Sequence, residues 1–228
     1  MRKRGKIGVA LLAISASILL SACSFSFSLG GSKFDADEYV QATLDSIYRG
    51  EHEKYIEYTK MSKEEAEDQH DRMVSAKADD FLAACEISSV SDGVRADLEN
   101  FFEDVFMEVK YEVQEAEKDG DDYNVQVIVS PCKVLSANMD ELEDVLIDFL
   151  YNADYASYTE EQEVYDDLMS TVIEAAEGWM DNISYGSDVS VDVNVFEAEE
   201  GGYNIEPDDL IEIDNNMIEY GFCRWYRL

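Results

Sequence analysis

Four cysteines, two histidines and 52 Asp and Glu residues are the groups in this 228-residue sequence with chemistry to offer. His52 and His70 stand outside any His-Glu-x-x-His pattern, so a helix-borne zinc site for hydrolysis has no visible ligands. A thiolate nucleophile would need Cys85, Cys132 or Cys223 beside one of them, and no spacing recommends it. Both histidines fall in charged helical stretches, which predicts solvated surface rings. Paired carboxylates can cleave glycosidic bonds, but 52 acids make any chosen pair uninformative. Asp119-Gly-Asp-Asp122 and Asp35-Ala-Asp-Glu38 lack the glycine and terminal glutamate spacing of an EF-hand. They read as a hairpin turn and a helix N-terminus. The sequence thus offers no catalytic residue, no metal ligand and no cofactor site.

The remaining chemistry is at Cys23. Arg2, Lys3, Arg4 and Lys6 precede an uncharged run from Ile7 to Leu20. That is the layout of an export signal, with an apolar part too short to span a bilayer comfortably. Leu20-Ser21-Ala22-Cys23 closes it with the pattern of a bacterial lipobox. In proteins that this motif resembles, the Cys23 thiol receives a diacylglyceryl group and a peptidase cuts before it. Ser21 and Ala22 are small enough for a narrow protease site. The expected division is a signal peptide at 1–22, a lipidated cysteine and tether at 23–33, and one folded domain at 34–228. Two acyl chains hold stably, since each buried methylene contributes about 0.8 kcal/mol and one chain alone is marginal. Ser24 to Lys33 reads as a Ser- and Gly-containing spacer that reaches at most about 35 Å. The expected address is the extracytoplasmic face of the cell membrane.

Charge then limits the partners. Four of the 17 basic residues precede Cys23 and no acid does, so the rest carries 13 basic groups against 52 acidic ones, a net of −39. Sequence-independent nucleic-acid binding needs Lys and Arg to displace counterions, so it is excluded. Docking on anionic headgroups is disfavoured in the same way. A hydrophobic share of 46% still supplies a sizeable core. With Cys23 consumed, Cys85, Cys132 and Cys223 leave room for one disulfide and one thiol, in a pairing the sequence leaves open. Cys85 and Cys132 are expected to be buried thiols.

The elements follow from hydrophobic period and punctuation. A helix from Asp35 carries Tyr39, Val40, Leu44, Ile47 and Tyr48 and stops at Gly50. A short piece, Glu51 to Tyr58, follows. Ser62-Lys-Glu-Glu65 is a capping box that opens a long helix to about Cys85. Another helix, from about Asp92 to Met107, turns Val94, Leu98, Phe101, Phe102, Val105 and Phe106 inward. Val109, Tyr111 and Val113 then alternate with polar residues, Lys118 to Asp122 turns, and Tyr123, Val125, Val127 and Val129 alternate back to Pro131. That is a hairpin. Asn138 is expected to cap a helix bearing Leu142, Val145, Leu146, Phe149 and Leu150. Thr159-Glu-Glu-Gln162 reads as a second box, before a helix with Val164, Leu168, Val172 and Trp179. Val189 to Val195 and Tyr203 to Ile205 form a second hairpin, and Pro207 starts a last helix.

The two hairpins read alike: V-Q-E-A-E-K-D-G-D-D-Y-N-V from Val113 and V-F-E-A-E-E-G-G-Y-N-I from Val195. Each follows a set of helices. A lone hairpin is marginal in water, so the expected fold class is α+β. Two helix-then-hairpin halves would join edge to edge in one antiparallel sheet packed by helices.

The stretches FDADEYVQATLDSIYRGEHEKYIEYT, MSKEEAEDQHDRMV and IEPDDLIEIDNNMIEY, with the hairpins, resemble a family of small acidic lipoproteins from Gram-positive bacteria. These carry a domain of unknown function, and the likeness covers nearly all of Phe34 to Tyr220. The resemblance implies export, lipid anchoring and a cystatin-like or NTF2-like α+β shape, and it carries over no catalytic residue. The leading functional expectation is a non-enzymatic surface module that binds a protein or a wall component. Its alternative is a hydrolase of wall polymers working through paired carboxylates. The end, Tyr220 to Leu228, has two arginines, no acid and four aromatics; it is expected to fold against the acidic body rather than reach outward.

Overall fold

The computed structural model describes residues 34–198 and 202–221. Leu20, Ser21, Ala22, Cys23, the tether and Cys223 lie outside them.

Four helices come first: α1 (Ala36–Arg49), α2 (Glu53–Thr59), α3 (Lys63–Ala84) and α4 (Asp92–Glu108). Strands β1 (Lys110–Val113), β2 (Glu117–Asp119) and β3 (Asp122–Ser130) follow, then α5 (Met139–Asn152) and α6 (Glu161–Trp179). Strands β4 (Val189–Glu197) and β5 (Tyr203–Ile205) lead to α7 (Pro207–Met217). The Asp35 carboxylate caps α1 by accepting from the Glu38 amide at 3.2 Å. At the other end Gly50 takes φ +63°, the left-handed conformation, and the Glu51 amide reaches back to the Asp45 carbonyl at 3.2 Å. The Ser62 box forms as expected, with the Glu65 amide on Ser62 Oγ and the Ser62 amide on Glu65 Oε2.

The sheet is antiparallel in the order β1-β3-β4-β5, with β2 continuing the β1 edge along β3. Val125 faces Val193 and Val127 faces Val191 across the central pair, all essentially buried. Gln126, Asn124, Asp192 and Asn194 point to the solvated side, the alternation of a one-sided sheet. Between β1 and β2, residues 114–116 stand opposite only 125 and 126. That extra residue is a bulge, and it bends the edge. Gly120, at φ +65°, turns the first hairpin.

The fold is α+β, and its hairpins do join edge to edge. The seam is β3 against β4, so the second strand of one hairpin meets the first strand of the next. The halves therefore follow one another across the sheet instead of facing across a two-fold axis. Helices α1 and α7 lie on the inner face, α3 and α4 pack on α1, and α6 and α5 extend the layer outward. The six inward residues expected for α4 are all buried.

Three local expectations change. Asn138 makes no side-chain cap; its amide donates backwards to the Val134 carbonyl at 2.8 Å. The second box is displaced by one residue: Glu163, not Gln162, accepts from the amides of Thr159 and Glu160. Leu150 is 53% exposed rather than inward, because Leu142, Leu146 and Phe149 already fill the face of α5 that is buried.

Candidate functional site

Phe34 is the first described residue, 11 positions after Cys23, and it is locked in an aromatic collar. Its ring stacks on Tyr203 at 3.9 Å and 13°. Tyr39, Tyr58 and Tyr123 surround it at 5.7, 6.0 and 5.7 Å. Those rings come from α1, α2, β3 and β5, so one residue ties the start of the domain to helices and to both hairpins. The Tyr58 hydroxyl donates to Glu38 at 2.6 Å, and Lys54 pairs with the same carboxylate at 2.9 Å. Both hold the Glu38 carboxyl below its ordinary range, the Tyr58 hydrogen bond most strongly. The Ala116 amide, at the bulge, donates to Asp37 at 3.3 Å.

A second cluster is buried. The Lys77 ammonium of α3 donates to Asp214 of α7 at 2.6 Å, with side chains 4% and 3% exposed. The Tyr48 hydroxyl of α1 donates to the other Asp214 oxygen at 3.1 Å. Burial, followed by the Asp214 charge, pushes the Tyr48 hydroxyl well above the ordinary phenol range. The Tyr220 hydroxyl is pushed up in the same way and finds no partner among the described residues. Water and substrate do not reach a pair so enclosed, so its chemistry is to hold three helices together.

The histidines are a correction. His52 and His70 are buried, 8% and 9% exposed, not solvated. The rings lie 6.2 Å apart on either side of Gly50. His52 Nδ1 is 2.9 Å from Ser46 Oγ. His70 Nδ1 donates to the Ile47 carbonyl at 2.8 Å, satisfying one of the free carbonyls at the end of α1. Since that carbonyl only accepts, the His70 proton sits on Nδ1. Burial, then the neighbouring His70, lowers the proton affinity of His52.

Among the described residues no group of three or more His, Cys, Asp or Glu could hold a metal ion. The proton affinities of the Glu38, Glu65 and Glu163 carboxyls are displaced downward because donors point at them. A general acid for glycoside cleavage needs the opposite shift. Cys132 carries a buried free thiol whose pKa burial raises, which makes it a poor nucleophile. Cys85 is half-buried. No disulfide joins the two.

The sequence reading missed both the collar and the buried pair. Signals for the pair were present, since Lys77 and Asp214 interrupt apolar stripes at Met73, Val74, Ala78, Phe81 and at Leu210, Ile213, Met217.

No family model matches the chain, and no curated protein matches it. One solved structure does: "a putative lipoprotein (ycdA) from Bacillus subtilis", with a TM-score of 0.58 and 18% identity. The match covers 81% of this chain and 56% of that one, so this chain spans little more than half the neighbour's length. At that identity the likeness establishes a shared fold, and the neighbour that shares it is described as a lipoprotein.

Proposed function

We propose that this protein is a lipid-anchored module at the extracytoplasmic face of the cell membrane, fixed through a diacylglyceryl group on Cys23, that works by binding and not by catalysis. The observation that carries this reading is the collar at Phe34. After a spacer of ten residues past Cys23, the chain is gripped at Phe34 by four tyrosines on four elements. A spacer of that length keeps the body within about 35 Å of the acyl chains. No helix among the described residues is long and apolar enough to cross a membrane; in this reading the attachment is the lipid on Cys23. The lipoprotein with the same fold supports this reading.

The binding role is supported by the chemistry of the ionisable groups. The displaced carboxyls favour their charged forms, the buried lysine is neutralised by Asp214, and Cys132 is kept protonated. Each arrangement stabilises a rigid body. The partner is a protein or a wall component that tolerates a net charge of −39.

The test is fractionation of cells producing the Cys23→Ser protein. The account expects no cleaved product in the membrane fraction: the body is either released in soluble form or held there as an uncleaved precursor. A cleaved Cys23→Ser product that stays fully bound through salt washing would contradict it.

A further inference from the structure

Helix α5 leaves one face unpartnered. Leu142, Leu146 and Phe149 are buried, and α6 is the helix that packs against α5. The opposite arc carries Asp140, Glu143, Asp144 and Asp148 together with Ile147, Leu150 and Tyr151. Leu150 is 53% exposed and Tyr151 85%, a large apolar area for solvent to meet on so acidic a helix.

The chain returns to this helix at its end. The Ser136 amide donates to the Glu219 carbonyl at 3.2 Å. A Cβ at Gly221 would lie 3.1 Å from Met139 Cγ and 3.3 Å from Ser136 Cα. Residue 221 is therefore set against the first turn of α5. Gly221 adopts φ +71° there, the left-handed conformation that redirects a chain. From that point residues 222–228 extend at most about 24 Å. Helix α5, with 14 residues, is about 21 Å long. The reach fits the helix.

We propose that residues 222–228 cover this face of α5. Phe222, Trp225 and Tyr226 would supply rings for Ile147, Leu150 and Tyr151, and Arg224 and Arg227 would stand against the carboxylates. Two arginines and no acid meet four acids and three apolar residues, so sign and hydrophobicity are both complementary. The inference does not depend on the anchor, since it concerns the opposite end of the chain.

The experiment is disulfide trapping in the full-length protein with the native Cys223. If the proposal holds, Cys223 would stand beside the second turn of α5, so Glu143→Cys and, separately, Asp144→Cys provide partners. Gln126→Cys, on the solvated face of the sheet, is the control. Under mild oxidation, bonds mapped by mass spectrometry should form within one chain, Cys223 to position 143 or 144, about tenfold faster than to 126. Arg224→Glu with Arg227→Glu should slow the trapping, and adding Asp140→Lys with Asp148→Lys should restore it. Circular dichroism confirms that each variant folds. Equal rates at 143, 144 and 126 would overturn the proposal, as would trapping that ignores charge reversal. Bonds formed only between two chains would overturn it too, and would assign the face to a second copy.

Discussion

Lys77 and Asp214 form an ion pair at 2.6 Å that lies almost wholly out of water. Each charge depends on the other, because solvation by bulk water is lost to both. Removing one partner leaves the other uncompensated: Lys77→Met should destabilise the fold by about 3–5 kcal/mol. Lys77→Met combined with Asp214→Leu should recover most of that loss, and urea denaturation measures both. A double variant no better than the single would show that the pair is worth more than its cost of desolvation. The histidines make a second prediction. His52 lies beside Ser46 and His70, with Glu67, Asp71 and Lys63 acting on it from α3, and its proton affinity is lowered chiefly by burial. As pH falls through about 6.5, the unfolded chain takes up a proton that the folded one resists. Stability therefore declines with acidification below that pH, and His52→Gln should flatten the decline. None of these contacts could be read as a pair from the sequence. Lys77 and Asp214 are 137 positions apart, and a charged residue on an apolar stripe shows only that some partner must exist.

At the scale of elements, legibility followed local physics. The Ser62 box forms because hydroxyl and glutamate stand at the required spacing on a helix start that nothing else disturbs. Ser62→Ala should cost about 1 kcal/mol, a fall of about 2–4 °C in melting temperature for a body of this size. Thr159 invited the same reading, yet Glu163 collects the amides of both Thr159 and Glu160. The helix takes Glu160 rather than Thr159 as its N-cap, so the residue three positions on that reaches back is Glu163 and not Gln162. Leu150 was misplaced because helical period alone does not say how wide the covered arc is; on α5 it is narrow. The hairpins were legible from alternation and a glycine turn. Their seam was not, since either edge of each hairpin offers the same free backbone groups. Burial of the valine faces of β3 and β4 against α1 and α7 decides it.

At the scale of the molecule, the acidic body, the collar and the spacer define one arrangement. The excess of 39 negative charges disfavours contact with anionic headgroups, and under the proposed anchoring the ten residues between Cys23 and Phe34 would keep the body near the membrane. Fold class was readable because composition and hydrophobic period are properties of contiguous sequence. The collar was not, because four of its five rings come from four separate elements and the fifth, Phe34, precedes the first helix. The most direct measurement is intact mass spectrometry of the protein extracted from membranes of its own host. The account predicts a chain that begins at Cys23 and carries a diacylglyceryl group on its thiol. A membrane-bound chain that keeps residues 1–22, or one with an unmodified Cys23, would contradict it.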